Sequence, residues 1–190
     1  MEIIKTESSG LNLYTNHKDF TAAKDGKYIT FTITKEYLSA YGFGEKFDFV
    51  NQIGKRVIVS VRERCFYQED FTYLTFPFLI TRDGFGLFVE TQNYVEFDFT
   101  EKNIIKVLVE IENDIIPEIF LFNGTPKNII SEFKQVVGKT KLFPKWVYGA
   151  WISSNRWDCQ KHVEEQNEDR GKPHIPRSVM GSERGIGLTT

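Results

Sequence analysis

The chain contains little cysteine, and its cysteines form no pattern. Cys65 and Cys159 are the two cysteines among 190 residues. Two such residues do not make the disulfide framework of a small secreted domain, and neither lies in the spacing of a metal-ligand motif. The three histidines, His17, His162 and His174, are far apart in the chain. The sequence therefore predicts neither a disulfide scaffold nor a metal centre.

The sequence also lacks a strong charge and a long apolar run. The formal net charge of -2 gives no electrostatic reason to bind nucleic acid or an anionic membrane. No run is long enough to span a bilayer, and residues 1–10 have no signal-peptide core. Gly42-Phe43-Gly44 lacks the third glycine and the following helix of a phosphate loop. We predict a cytoplasmic protein with no cofactor and with no nucleic-acid or membrane partner.

The composition favours β-structure. Aromatic residues make up 15% of the chain and include 17 Phe and 8 Tyr, which are enriched in strands. Residues 28–34 alternate between apolar and polar side chains, as half-buried strands do. Similar alternation predicts strands at 57–62, 94–99 and 104–111, and a last apolar strand follows at 119–122. Short strands with turn signals between them indicate an antiparallel β-sandwich over residues 1–124.

Turn residues give this sandwich further detail. Residues 76–80 and 85–90 are a predicted hairpin, because Asp83-Gly84 favours a tight turn. Pro77 predicts that the first of these strands lies at a sheet edge, since proline cannot donate to a ladder. Residues 41–47 contain two glycines and predict a loop or a bulged edge strand.

The strand pattern gives way to helical periodicity after residue 124. Thr125 is a good N-cap, and Pro126 occupies the position where a helix tolerates proline best. Gly138 is a natural terminator. These signals predict a linker helix within residues 125–143. Its expected apolar stripe consists of Ile129, Ile130, Phe133 and Val137.

Residues 144–166 indicate the first strand and helix of an α/β barrel. An apolar strand is predicted at 147–152, followed by a polar turn at 155–157 and a helix from Asp158. A barrel needs eight parallel strands, so we expect most of a catalytic domain to be missing from these residues. Residues 167–190 contain several breakers and predict an irregular or disordered tail, in which 178–180 resemble the remnant of a second strand.

Trp157 follows the predicted barrel strand, and active sites of such barrels lie at the C-terminal ends of the strands. An aromatic ring there can stack on a sugar. Packing of Trp157 within the incomplete barrel is an equally good explanation for an aromatic residue at this position.

Five segments, in order, resemble glycoside hydrolase family 31, the α-glucosidase and α-xylosidase family. Residues 41–48, YGFGEKFD, are similar to its Gly-x-Gly-Glu-x-Phe motif, and 51–57 to the Asn-x-x-Gly-x-x-Val that follows. Residues 73–89 are similar to its Pro-Phe strand and Gly-Phe-Gly hairpin. Residues 124–127 and 144–151 are similar to its linker helix and barrel entry.

The resemblance implies a galactose-mutarotase-like β-sandwich, then a (β/α)₈ barrel, and a retaining enzyme that acts on α-linked glycosides. It places both catalytic carboxylates on later barrel strands, so no residue here inherits a catalytic role. It implies substrate contacts from the loop around Glu63 and from the turn with Arg156 and Trp157. The expected function is that of a glycosidase fragment, inactive alone, whose parent binds carbohydrate.

Three alternatives stay open. The first is a non-catalytic carbohydrate-binding sandwich. The second is a mutarotase-type epimerase, which is disfavoured because His17 is expected outside the strand series. The third is an interaction domain that binds a separate chain. The sequence also predicts self-association through an exposed barrel segment, whose apolar residues are Trp146, Val147, Trp151 and Ile152.

Overall fold

The computed structural model describes residues 1–9, 12–15, 17–62, 71–154, 159–169 and 177–182. These residues form two compact units, Met1–Lys139 and Thr140–Thr190. The strands of the first unit, in chain order, are β1 (Glu2–Ile4), β2 (Thr6–Ser9), β3 (Asn12–Thr15), β4 (Phe20–Asp25), β5 (Tyr28–Thr34), β6 (Tyr41–Gly44), β7 (Arg56–Val59), β8 (Thr75–Ile80), β9 (Phe85–Val89), β10 (Val95–Asp98), β11 (Ile104–Glu110) and β12 (Ile119–Asn123).

Two five-stranded sheets make up the sandwich. Sheet I has the order β1-β12-β9-β8-β6, and sheet II has the order β4-β5-β11-β10-β7. Every strand pair in both sheets is antiparallel. A separate hairpin pairs β2 with β3. The predicted antiparallel β-sandwich is confirmed, and the strand predicted at 28–34 coincides with β5.

The main core lies between the inner faces of the two sheets. In β5 and in β11 every second residue is buried, which is the burial that period-two alternation predicts. Sheet II contributes Phe31 and Val107 to this core, and sheet I contributes Leu79 and Leu87. The outer face of sheet II is mixed, since it carries polar side chains such as Thr30 and Lys106 as well as Leu108. Sheet I differs, because all five residues of β9 are buried and both of its faces are therefore covered.

Helix α1 (Pro126–Val137) covers the outer face of sheet I. Thr125 caps it, since its side-chain oxygen accepts a hydrogen bond from the backbone N–H of Asn128. The residues that pack against the sheet are Ile129, Phe133 and Val136, which meet a group of phenylalanines on β8, β9 and β12. Two members of the predicted stripe, Ile130 and Val137, are exposed instead. The buried face of the helix therefore contains Ile129, Phe133 and Val136, and it excludes Ile130 and Val137.

The expectation that Pro77 marks a sheet edge is wrong. Its strand, β8, lies between β9 and β6, and β6 is the edge. The register between β6 and β8 passes from Gly42↔Leu79 to Gly44↔Thr75, so Pro77 falls in the irregularity. Pairing with β9 begins only at Phe78. Proline is tolerated at such bulges because no ladder hydrogen bond is required there. The bulged edge strand predicted within 41–47 is confirmed.

The second unit is a strand-helix-strand arrangement. A 3-10 turn, Lys145–Tyr148, precedes β13 (Ala150–Ser154), α2 (Gln160–Asp169) and β14 (Arg177–Ser182). β13 and β14 are parallel neighbours. Parallel strands joined through a helix are the repeating element of α/β barrels, and continuation into a barrel stays a prediction.

The strand predicted at 147–152 begins three residues later than expected. Two backbone hydrogen bonds close the preceding turn, from Val147 to Pro144 and from Gly149 to Trp146. The indole N–H of Trp151 donates to the carbonyl of Val147 at 2.9 Å and ties the strand to that turn. The stretch predicted as a strand remnant, 178–180, lies within β14. Among the described residues, none of the helices has the length and apolar character needed to cross a membrane.

Candidate functional site

The three predicted substrate-binding residues lie outside the described part of the chain. Glu63 belongs to the segment 63–70, and Arg156 and Trp157 belong to 155–158. Their role therefore stays a prediction.

Acidic and histidine side chains do not converge on a metal site within the described ranges, where no group of three or more His, Cys, Asp or Glu is suited to one. His162 and Glu165 lie one turn apart on α2, and both are exposed. Glu165 lies 3.7 Å from the ammonium group of Lys161. This arrangement is typical of a solvated helix face.

His17 lies inside the sandwich unit, between β3 and β4, so the expectation that it falls outside the strand series is wrong. The Nδ1 atom of His17 accepts a hydrogen bond from the backbone N–H of Asp19 at 3.2 Å, and Nε2 lies 4.0 Å from the Glu2 carboxylate. The adjoining cavity measures about 120 Å³. Ligand sites usually measure about 300–1,000 Å³, so this cavity is too small for a sugar.

The loop 45–55 connects β6, at the edge of sheet I, with β7, at the edge of sheet II. Asp48 anchors this loop, because its carboxylate accepts hydrogen bonds from the side chains of Lys55 and Gln52. Burial acts to raise the pKa of Asp48, but the hydrogen bonds from Lys55, Gln52 and the Phe49 backbone together outweigh it and lower the pKa to about 2. Asn51 adds a further restraint, since its side-chain oxygen accepts the backbone N–H of Ala40 at 2.9 Å.

A groove of about 610 Å³ lies at the end of β7. Its lining comes from four segments, which are residues 59–61 at the end of β7, 75–77 in β8, Phe88 in β9, and the turn 91–94 between β9 and β10. The first of these segments is tied to the residues that precede β8, because a short bridge joins Val61 to Thr72 and the backbone N–H of Arg62 donates to the Thr72 carbonyl at 3.0 Å. The groove is therefore built on strands and one tight turn.

Phe76 provides the aromatic wall of the groove. Its ring is stacked on Phe88, with 6.4 Å between centroids, and meets Phe133 of α1 edge-on at 5.8 Å. The side chain is nevertheless 41% exposed. A second exposed aromatic pair consists of Tyr73, which precedes β8, and Phe47 of the loop 45–55, and their ring centroids lie 6.0 Å apart.

Tyr94, at the opposite side of the groove, is oriented by a charged row on sheet II. Its hydroxyl donates to the Glu96 carboxylate at 2.9 Å. Burial, followed by this hydrogen bond, raises the pKa of Tyr94 to about 12. Arg56 lies 3.7 Å from Glu96 and 3.1 Å from Asp98. Burial tends to raise the pKa of Asp98, but hydrogen bonds from Thr100 and Arg56 lower it overall.

Comparison with known protein families identifies the sandwich. The N-terminal galactose mutarotase-like domain of glycosyl hydrolase 31 matches residues 2–98, just over half of the chain. The chain belongs to glycoside hydrolase family 31. The family resemblance found in the sequence is thereby confirmed, and the matched residues contain all of the described groove lining.

Relatives in family 31 are much longer than this chain. The isomaltosyltransferase of Sporosarcina globispora is 26% identical over 145 residues, which cover 74% of this chain and 13% of that protein. An α-xylosidase of Emericella nidulans is 29% identical over 116 residues, which cover 60% of this chain and 15% of that protein. The matched residues therefore make up about a seventh of the length of each of these relatives.

The fold agrees with a solved family 31 structure. The cycloalternan-degrading enzyme from Trueperella pyogenes, in complex with cycloalternan, superposes with a TM-score of 0.72 and 28% identity. The match covers 90% of this chain and 24% of that one. The chain thus corresponds to the N-terminal part of a family 31 protein.

The groove is a feature that the sequence did not predict. Its segments lie up to 35 residues apart in the chain, from residue 59 to residue 94, and no motif connects them. One local signal was available, the polar run Thr91-Gln92-Asn93 between two strongly apolar strands, but such a run is typical of any turn.

Proposed function

We propose that this chain is the N-terminal portion of an enzyme that acts on α-linked glycosides. The observation that carries the proposal is the family 31 match over residues 2–98, together with relatives named for isomaltosyl transfer and α-xyloside cleavage. Hydrolysis and transfer are both compatible with a retaining mechanism, because either water or a second sugar can take the glycosyl group from the enzyme. Hydrolysis is the reaction that we propose.

Residues 1–190 alone do not perform this reaction in our proposal. A retaining glycosidase needs two carboxyl groups about 5–5.5 Å apart on either side of the scissile bond. The family resemblance places both on barrel strands that follow the first one. The purified 190-residue chain should therefore release no product from an aryl α-glucoside or an aryl α-xyloside. A substantial rate from a clean preparation would overturn this part of the proposal.

The parent activity is tested separately on the coding DNA. We expect the sequence beyond the codon for Thr190, in one of its three frames, to encode further barrel strands and two catalytic aspartates. Absence of such a continuation would contradict the assignment to a glycosidase and would favour a non-catalytic carbohydrate-binding sandwich.

Glu63, Arg156 and Trp157 are proposed to line the substrate pocket of the parent enzyme. The support is their position in the family resemblance, at a sandwich loop and at the end of the first barrel strand. In an active longer protein, Trp157→Ala should raise KM for an α-glycoside more than Trp146→Ala does. Equal effects of the two substitutions would remove Trp157 from the pocket.

Self-association of the 190-residue chain is a further part of the proposal. Trp146 and Trp151 are stacked with their ring centroids 6.1 Å apart, yet they are 53% and 60% exposed. Val147 is half-buried, and the side chain of Ile152 lies outside the described residues. Leu142, Phe143 and Tyr148 add to this exposed apolar surface.

Light scattering tests this proposal. The unmodified chain should form oligomers, and the double substitution Trp146→Ser with Trp151→Ser should shift the distribution towards monomer. Phe49→Ser is the matched control, because Phe49 is an exposed aromatic residue of the first unit. A monodisperse monomer of the unmodified chain would contradict self-association.

A further inference from the structure

We propose that the groove between residues 59–61, 75–77, Phe88 and 91–94 is a binding site for a neutral saccharide. The site lies entirely within the sandwich, so it stands apart from the barrel chemistry of the proposed function. None of the lining residues that the structure describes has a charged side chain, although charged residues make up 26% of the chain. A charged ligand would find no ion-pair partner among these residues, whereas a neutral ligand does not need one.

The aromatic side of the groove suits the apolar face of a sugar ring. Phe76 is exposed enough to be touched, and its contacts with Phe88 and Phe133 hold the ring in one orientation. A ligand would therefore not need to order this side chain on binding, which reduces the entropic cost. The C–H groups on one face of a sugar ring can stack on the fixed ring of Phe76, which is a favourable contact for carbohydrates and other amphipathic ligands.

The polar side of the groove suits the hydroxyl groups. Gln92 and Asn93 lie in the turn between β9 and β10, where the Thr91 hydroxyl accepts the backbone N–H of Asn93 at 3.1 Å. No hydrogen bond joins the side-chain amide of Gln92 or Asn93 to any part of the chain that the structure describes. Each amide offers two donors and one acceptor oxygen, which is the complement of a row of sugar hydroxyls.

The size of the groove agrees with a short oligosaccharide. Its volume of about 610 Å³ lies within the range of about 300–1,000 Å³ that is usual for small-molecule sites. A protein partner would be expected to meet a larger apolar surface and fewer amides. Ser60, Thr75 and Thr91 line the groove beside the two amides, so hydrogen-bonding groups are distributed along its length.

The site is tested by isothermal titration calorimetry, in which the 190-residue chain is titrated with isomaltose and, separately, with maltotriose. Phe76→Ala and Gln92→Ala should each weaken binding about threefold to tenfold, the effect of losing one stacking contact or one pair of hydrogen bonds. The matched controls are Phe49→Ala and Gln135→Ala, which remove an exposed aromatic ring and an exposed amide outside the groove. Neither control should change the affinity.

Gln92 is exposed, so its substitution should leave thermal unfolding unchanged even if Phe76→Ala destabilises the fold. Failure of both saccharides to bind at about 10 mM, where a Kd near 1 mM would give almost full occupancy, would overturn the proposal. So would equal binding by all four variants. Tighter binding of glucose 6-phosphate than of a neutral sugar would also contradict it, because that result requires a positive charge. If Phe76→Ala altered the oligomeric state and left sugar affinity unchanged, the groove would be a protein contact.

Discussion

Ile129 packs directly onto Gly86, so that a Cβ atom placed on this glycine would stand 2.5 Å from the Cγ2 atom of Ile129. Gly86 lies in β9 and Ile129 is the fully buried residue of α1. The missing side chain is what lets the helix approach sheet I closely. Without that approach the phenylalanines on the outer face of the sheet would be exposed to solvent.

Gly86→Ala should therefore destabilise the first unit. The side chain of Ile129 is branched at Cβ and buried, so its Cγ2 methyl group cannot move aside without disturbing its neighbours. Overpacking of this kind lowers the free energy of unfolding by about 1–3 kcal/mol. Chemical denaturation, monitored by circular dichroism, measures the change. Gly26→Ala is an informative comparison, since no atom lies within 4 Å of a Cβ at that position, although its positive φ adds some strain of its own. A Gly86→Ala protein as stable as the unmodified one would show that the helix shifts freely on the sheet.

Phe133 should be the most important side chain of α1. Its ring contacts four others, of which Phe78 is stacked at 4.2 Å and Phe88 is edge-on at 5.2 Å. Phe133→Ala should lower the free energy of unfolding by about 2–4 kcal/mol, because a large cavity forms under the helix. Ile130→Ala, on the exposed side of the same helix, should cost less than about 1 kcal/mol. Similar losses in the two variants would contradict the helix orientation.

Asp48 should make the stability of the loop 45–55 depend on pH. Its pKa of about 2 in the folded protein lies below the ordinary value of 3.8, so the ionised carboxylate stabilises the fold above about pH 3.8, and this contribution disappears as the pH falls through 2. The residue is partly exposed, and we therefore expect about 1 kcal/mol after solvent screening.

Asp48→Asn isolates this effect. The difference in unfolding free energy between the two proteins should be largest at pH 5–7 and should shrink towards pH 2. Asp25→Asn is the control, because Asp25 lies exposed at the end of β4. A difference that stays constant between pH 6 and pH 2 would mean that the carboxylate charge contributes nothing.

Tyr37 should stabilise the turn between β10 and β11. Its buried hydroxyl lies 3.2 Å from the carbonyls of Glu101 and Ile104, and burial raises the pKa of this tyrosine. Tyr37→Phe removes the one proton that can be donated there and should cost about 1 kcal/mol, whereas Tyr73→Phe at an exposed position should be neutral. Thermal unfolding of both variants gives the comparison. Equal stability of the two variants would show that the turn does not depend on this hydroxyl.

Much of the first unit was predictable because its signals are local. The alternation in 28–34, the Asp83-Gly84 turn and the Thr125 cap each depend on neighbouring residues, and each appears in the structure at the expected place. The four strands β1 to β4 were missed. β1 is three residues long, and β4 contains Ala-Ala-Lys-Asp, in which no apolar alternation is visible. Their strand conformation comes from pairing with β12 and β5.

The errors in the prediction arise where sheet order matters. Pro77 suggested an edge strand, but a strand also tolerates proline at a bulge. Only the register between β6 and β8 shows that the bulge, and not an edge position, explains Pro77. The apolar stripe of α1 was misplaced for a similar reason. Ile130 and Val137 are as apolar as the residues that pack, and the positions of Gly86 and the phenylalanines on sheet I decide which face is buried.

The sequence by itself determined the fold class, the hairpin, the capped helix and membership of glycoside hydrolase family 31, because strand periodicity, turn chemistry and ordered motifs can be recognised along the chain. Only the tertiary structure decided the groove lined by Phe76 and Gln92 and the close contact between Gly86 and Ile129. Both depend on strands that are adjacent in space but separated in sequence, and their side chains acquire a shared surface only after the two sheets have formed.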